Sequence, residues 1–156
     1  MKFTAFATAL LMISTFSGAN ERAAVGNVLD TLHYSAASAD WDAYFNVYSP
    51  DAIFIGTDAS ETWTIDEFKR YAKPAFLSGK GWTYTVSERH IYFSAGGNVA
   101  WFDEMLSNAS LGVTRGTGVL ENTAEGWKVK QYHLAIPIPN ELAGEVANKI
   151  KAKETR

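Results

Sequence analysis

The feature that most constrains this chain is a change in hydrophobic period partway along it. Residues 21–38 place apolar side chains at helical spacing, and Asp40 and Thr64 are positioned to begin two further helices. Beyond residue 80 the pattern becomes that of strands separated by turns. The predicted strands are 82–94, 98–106, 111–121 and 127–138. Helices followed by an antiparallel meander predict an α+β fold, with one earlier strand at 52–57.

The third predicted helix carries clear signals at both ends. Thr64 and Glu67 form a capping-box pattern at its start, and Pro74 is expected to kink or end it. Its expected apolar face consists of Phe68, Tyr71, Ala72 and Phe76.

The amino-acid composition limits the functions that this chain can have. The 156 residues suffice for one domain with a sizeable core, and five Trp, seven Tyr and nine Phe suit an aromatic-lined cleft as well. A net charge of -3 without a basic block argues against nucleic-acid binding. The chain has no Cys, which excludes disulfides and thiol catalysis, and its three His lack metal-ligand spacing. We therefore expect no metal and no cofactor.

The first residues are typical of a leader rather than of a folded domain. Lys2 precedes a short apolar run at 5–13, and small residues at 17–19 suit a cleavage site. The run is too short to span a membrane comfortably. We expect residues 1–19 to be a signal peptide, giving a periplasmic or secreted protein with no membrane association after cleavage. The alternative is a buried N-terminal helix.

The remaining chain divides into a domain and a tail. Residues 139–156 are rich in Lys and Glu, which predicts a solvated terminal segment, part of it helical. The folded domain is then expected to cover residues 20–138.

Two stretches carry a resemblance to a known family. They are "DWDAYFNVYSPDAIFIGT", after the first helix, and "GWKVKQYHLAIPIP", at the end of the meander. In this order they resemble the nuclear transport factor 2-like superfamily, and within it the SnoaL-like branch, over roughly 21–138. The resemblance implies a curved antiparallel sheet wrapped around three N-terminal helices. Such a cone encloses a pocket and commonly forms a homodimer through its sheet.

The resemblance leaves function open, because the superfamily holds isomerases, cyclases, dehydratases, hydrolases and non-catalytic binding or assembly domains. Its steroid isomerase members use a tyrosine on the first helix, an aspartate base on the first strand and a second acid. The matching positions here hold Leu32, Gly56 and Thr117. The acid/base aspartate of its polyketide cyclase members has no clear match. Ketosteroid isomerase chemistry is therefore not supported.

In such a cone the concave faces of the later strands line the pocket. Strand alternation predicts Asp103, Arg115 and His133 on these faces. His133 is then a candidate general acid or base, oriented by Asp103, while Arg115 could bind or stabilise an anion. The alternative is a buried polar network with no catalytic role. A one-residue slip in register would exchange Asp103 for Glu104.

Other residues are candidates for ligand contact in the same pocket. They are Trp41, Tyr44, Phe45, Trp63, His90, Trp101, Met105, Thr117 and Gln131. The aromatic residues of the second helix are equally suited to the core, and His90 to a dimer interface. His33, beside the apolar stripe of the first helix, is expected to be partly exposed.

Three functional interpretations remain open. The first is an exported domain that binds a small, partly apolar molecule and forms a homodimer. The second is a cofactor-independent enzyme for isomerisation, dehydration or cyclisation, with His133 and Asp103 as its acid/base pair. The third is a non-catalytic assembly domain that uses an exposed face of the sheet.

Overall fold

A computed structural model describes residues 13–154, which form four helices and six strands. The helices are α1 (Ile13–Ala37), α2 (Trp41–Asn46), α3 (Ile65–Leu77) and α4 (Asn140–Glu154). The strands are β1 (Tyr48–Ile55), β2 (Thr62–Thr64), β3 (Thr85–Phe93), β4 (Val99–Asn108), β5 (Gly112–Thr123) and β6 (Gly126–Ala135). Most of the predicted signal peptide lies outside the described residues, and its end, 13–19, is part of α1.

The six strands form one open sheet in the order β2-β1-β6-β5-β4-β3. The predicted meander is present as β3 to β6, joined in antiparallel pairs. Two features differ from the prediction: the short strand β2 pairs with β1, and β1 lies parallel to β6. A parallel pair needs a long connection, which α3 and the meander supply here. The α+β class is confirmed, with a mixed rather than purely antiparallel sheet.

Both predicted helix caps are present. The side chain of Asp40 accepts a hydrogen bond from the backbone N–H of Ala43 (3.0 Å) at the start of α2. At the start of α3, the Thr64 N–H donates to Glu67 Oε2 (2.9 Å), and the Glu67 N–H donates to Thr64 Oγ1 (3.4 Å). These bonds satisfy backbone donors that have no partner within the helix.

Pro74 does not end α3, which continues to Leu77. Phe76 is buried, and its ring packs 5.2 Å from that of Tyr44 on α2. The final turn is therefore held by tertiary packing rather than by local preference.

The helices α1 to α3 pack against one face of the sheet, here called the inner face. On β4 this face carries Ala100, Phe102, Glu104 and Leu106, all at most 2% exposed. The opposite, outer face carries Trp101, Asp103 and Met105, which remain accessible. The core therefore lies between the inner face and the helices.

A β-bulge in β6 changes which residues face inward. Leu120 pairs with Val129 and Val119 pairs with Gln131, so Lys130 is an extra residue in β6. Before it Val129 faces the core, and after it Tyr132 is the next buried residue. The inserted residue reverses the alternation for the second half of the strand.

The C-terminal tail forms α4, most of which is exposed to solvent. Its apolar side chains Leu142 and Ile150 are 47% and 51% exposed. None of the helices between residues 13 and 154 combines the length and the apolar content of a membrane span.

Candidate functional site

A cavity of about 360 Å³ lies between the three helices and the inner face of β1 and β6. Its wall is dominated by aromatic rings from six different parts of the chain. They belong to Tyr44, Phe54, Trp63, Phe68, Tyr71, Trp82, Tyr84 and Tyr132. Several are nearly parallel; for example, the Trp63 and Tyr71 rings lie 4.6 Å apart at 26°. The cavity is thus a largely apolar site of the size that small ligands occupy.

A buried acid–base cluster adjoins this cavity. His33 on α1 lines the cavity, and its Nε2 lies 2.6 Å from Oε1 of Glu104 on β4. The same Oε1 accepts a hydrogen bond from the Tyr132 hydroxyl (3.3 Å), and Oε2 accepts one from Arg89 Nε (2.8 Å). Glu104 is completely buried and yet has three partners, as a buried charge requires.

Arg89 connects the cluster to the molecular surface. Its Nη1 donates to Asp30 Oδ1 (2.7 Å) and to the carbonyl oxygen of Gly26 (3.4 Å) on α1. Asp30 is largely solvent-exposed, whereas Nη2 of Arg89 is buried and has no partner among the described residues. The guanidinium therefore neutralises Glu104 without itself lining the cavity.

The surroundings fix the ionisation state of two members of the cluster. Burial raises the pKa of Glu104, but the hydrogen bond from His33 and the charges of His33 and Arg89 outweigh it, so the pKa is lowered overall. Burial and the adjacent Glu104 charge raise the pKa of Tyr132 well above its ordinary value. At neutral pH the cluster therefore holds an ionised Glu104 and a protonated Tyr132.

A glycine makes room for this cluster in the sheet. Gly116 on β5 pairs with Glu104 on one side and with Leu134 on the other. A Cβ at this position would lie 2.5 Å from the Tyr132 hydroxyl and 3.0 Å from Glu104 Cγ. The absence of a side chain lets Tyr132 reach across β5 to Glu104.

Among the predicted ligand contacts, Tyr44 and Trp63 lie on the cavity wall. Trp41 and Phe45 instead pack on each other, with ring centroids 4.3 Å apart, and do not line the cavity. Phe45 is buried in the core, as the alternative interpretation of the second helix allowed.

The predicted catalytic residues do not line the cavity, so their expected placement is wrong. Asp103 and Arg115 lie on the outer face because the inward alternation of β4 and β5 runs through Glu104 and Gly116. His133 lies there because of the bulge at Lys130. The one-residue slip considered for Asp103 and Glu104 is therefore what the structure shows.

These outer-face residues are nevertheless neighbours. Thr117 pairs with both Asp103 and His133, and Asp103 Oδ1 lies 3.2 Å from Nδ1 of His90. Arg115 Nε donates to Met105 Sδ (3.4 Å) instead of meeting a carboxylate.

Two further predicted contacts share the outer face. Trp101 and Gln131 both pair with Val119, and so lie in one row across the sheet. Of the predicted ligand contacts, His90, Trp101, Met105, Thr117 and Gln131 are thus placed away from the cavity.

Three polar groups on the cavity wall, His33, Glu61 and Tyr132, were not predicted from the sequence, and Glu104 behind them entered only as the alternative to Asp103. A signal for His33 existed, because Leu29, Leu32, His33 and Ala36 follow i, i+3, i+4, i+7 spacing and form one buried stripe. His33 is 8% exposed, so the expectation of partial exposure is wrong. No such signal existed for Tyr132, whose face depends on the bulge.

Within residues 13–154, no group of three or more His, Asp or Glu side chains is arranged to hold a metal ion. The polar groups on the cavity wall are instead suited to hydrogen bonding and to proton transfer.

An open curved sheet with three helices over its inner face, and an aromatic cavity between them, is the architecture of the nuclear transport factor 2-like class. The chain belongs to the SnoaL-like domain family, whose model matches residues 25–139. No curated protein matches the sequence.

Solved structures share this fold at low sequence identity. A nuclear transport factor 2-like protein of unknown function from Pseudomonas putida is 11% identical, with a TM-score of 0.65 over 80% of this chain and 91% of its own. A proposed scytalone dehydratase from Novosphingobium aromaticivorans is 12% identical, with a TM-score of 0.68 over 80% and 89%. A proposed ketosteroid isomerase from Shewanella frigidimarina is 20% identical, with a TM-score of 0.58 over 71% and 94%. Identities this low establish the fold alone.

Replacing Glu104 with Gln is expected to destabilise the protein by about 2–4 kcal/mol, because Arg89 loses its buried charge partner and keeps only the largely exposed Asp30. Urea unfolding at neutral pH measures this loss. Glu88→Gln, at an exposed position on the neighbouring strand β3, is the matched control and should change the free energy of unfolding by less than about 0.5 kcal/mol.

The same ion pair predicts the direction of acid sensitivity. The pKa of Glu104 is lower in the folded state than in the unfolded state. Its contribution to the free energy of unfolding is therefore complete above the ordinary glutamate pKa of about 4.3, and it is lost as the pH falls toward the folded-state pKa. The difference in free energy of unfolding between wild type and Glu104→Gln should therefore become smaller below about pH 4. A difference independent of pH would contradict an ionised Glu104.

Proposed function

We propose that this protein binds a small, planar and largely apolar molecule in the cavity between the helices and the inner face of the sheet. The observation that carries the proposal is the wall of eight aromatic side chains, interrupted by a few polar groups. Aromatic rings offer a large apolar area with little entropy to lose, and the polar groups orient the ligand.

The position of the cavity supports this proposal. It is built within a single chain, and its deepest polar groups, His33 and Tyr132, are held by the buried Glu104. Its aromatic wall includes Tyr71, which is 54% exposed and so remains accessible from solvent. A ligand would place its apolar ring against this wall and its polar group toward the imidazole and phenol.

Binding of the neutral probe 2-naphthalenemethanol should depend on the cavity tryptophans. Trp63→Ala removes a ring that lies 5.9 Å from Phe68 and 4.6 Å from Tyr71, and should weaken binding about tenfold. Isothermal titration calorimetry measures the affinity, and thermal melts confirm folding. Trp101→Ala, which removes a tryptophan from the outer face, should leave the affinity unchanged. Equal loss in both variants, or no binding to wild type, would overturn the proposal.

A second function, proton-transfer catalysis on the bound molecule, is favoured by the His33–Glu104 pair. Because Nε2 of His33 is engaged by Glu104, Nδ1 is the ring nitrogen without a hydrogen bond among the described residues. A buried carboxylate behind an imidazole orients the ring and fixes its tautomer, which leaves the other ring nitrogen as a proton acceptor. In this hypothesis His33 takes the role first assigned to His133, and Glu104 that assigned to Asp103.

Hydrogen exchange in a bound ketone tests this second function. With 2-tetralone in D₂O, the imidazole of His33 would accept a proton from the carbon beside the carbonyl, and the enolate would then take up a deuteron. Proton NMR measures the exchange rate, which should fall about 100-fold in His33→Gln. His133→Gln, altered on the outer face, is the matched control and should retain the wild-type rate. The opposite pattern would return the catalytic role to His133.

Two features of the sequence support a further proposal of export. The apolar run at 5–13 and the small residues at 17–19 suit a cleaved leader. The protein would then meet its ligand in the periplasm or outside the cell.

We also propose a homodimer formed through the outer face of the sheet. Exposed aromatic side chains support it, since Tyr92 and Trp101 stack with ring centroids 5.9 Å apart and are each more than 40% exposed. Sedimentation should give the mass of a dimer for wild type and of a monomer for Trp101→Arg, which places a charge in the centre of the contact. Val113→Ser, at the margin of the same face, is the control and should disturb the dimer less than Trp101→Arg does. A monomeric wild type would exclude this arrangement.

A further inference from the structure

We infer that the cavity selects an organic cation: its ligand carries an ammonium group, held by the Glu61 carboxylate and by the surrounding aromatic rings. The inference deepens the proposed binding function and rests on it. It assigns to Glu61 a role in ligand selectivity.

The charge of the cavity wall is the first observation. Glu61 is the one carboxylate among the described residues that line it, and none of those residues is Lys or Arg. The guanidinium nearest the acid–base cluster, that of Arg89, is engaged by Glu104 and Asp30 and does not line the cavity. An anionic ligand would therefore meet a carboxylate without any fixed positive charge to offset it.

The loop between β1 and β2 fixes the position of Glu61. Its carbonyl oxygen accepts a hydrogen bond from the Gly56 N–H (2.8 Å), and its own N–H donates to the Asp58 carbonyl (2.9 Å). The side chain turns back so that Oε2 accepts a hydrogen bond from the Asp58 N–H (3.1 Å). The carboxylate is thus held by the backbone of its own loop rather than extended into solvent.

Gly56 gives this carboxylate its place on the cavity wall. A Cβ at Gly56 would lie 2.1 Å from Glu61 Oε2 and 2.9 Å from Glu61 Cβ. Any side chain at residue 56 would displace Glu61, so the glycine and the glutamate together form one feature. The carboxylate lies where the side chain of a larger residue 56 would begin.

Aromatic rings complete the site for a cation. Trp63 follows Glu61 by two residues, and its ring stacks with Tyr71, whose ring in turn lies 6.5 Å from that of Trp82 at 7°. All three line the cavity together with Glu61. The faces of such rings attract ammonium groups, and Glu61 adds a carboxylate on the same wall. Lys153 on α4 acts on Asp58, whose pKa its charge helps to lower, and neither residue lines the cavity.

Three naphthalene probes, which carry a cationic, a neutral and an anionic polar group, test the inference. They are 2-naphthylmethylammonium, 2-naphthalenemethanol and 2-naphthoate, titrated by calorimetry into the full chain at low ionic strength. The ammonium should bind about tenfold more tightly than the alcohol, and the naphthoate most weakly. The preference should shrink as salt is added, because part of it is Coulombic.

Glu61→Gln identifies the group responsible. The amide oxygen can still accept the Asp58 N–H bond, so the loop is expected to keep its conformation. Affinity for the ammonium should fall about tenfold, to that of the alcohol, while affinity for the alcohol stays unchanged. Glu88→Gln, which removes the same charge from the outer side of β3, should leave all three affinities as in wild type.

The outcomes separate this inference from the proposed function. If the alcohol binds and the ammonium binds no better, the cation selectivity is overturned and the binding function stands. If Glu61→Gln leaves the preference for the ammonium intact, the assignment to Glu61 is overturned. If none of the three probes binds, the binding function fails, and this inference fails with it.

Discussion

The rest of the structure depends on the ionised carboxylate of Glu104, which is buried on the inner face of the sheet. Burying such a charge is strongly unfavourable unless it is paired. The partners come from α1 through His33, from β3 through Arg89 and from β6 through Tyr132. One side chain therefore fixes how the first helix lies on the sheet and orients the imidazole and the phenol at the cavity. Stability and the polar character of the site have a common origin.

The general architecture could be predicted from sequence because it depends on local patterns. Helical spacing in α1, the caps at Asp40 and Thr64, and the turns of the meander each act within a few residues. The parallel pairing of β1 with β6 could not be predicted, because it joins segments far apart in the chain. Strand β2 could not be predicted either, since a pattern of three residues is too short to distinguish from a loop.

The candidate site was harder to predict than the fold, because its residues depend on which way each strand faces. On β4 both faces alternate apolar residues with one acid, so local pattern does not distinguish Asp103 from Glu104. The distinction lies in partners 71 and 15 residues away, His33 and Arg89. Burial of an acid is favourable only with such partners, and they cannot be recognised before the fold is known.

The bulge at Lys130 has a consequence for the lining of the cavity. Val129, before the bulge, belongs to the hydrophobic core alone, whereas Tyr132 and Leu134, after it, belong to the core and also line the cavity. If Lys130 instead paired as an ordinary strand residue, the alternation would continue from Val129 and would turn Gln131 and His133 toward the cavity in place of Tyr132 and Leu134. The chemistry that β6 presents to a ligand therefore depends on how the strand pairs with β5 as well as on its side chains.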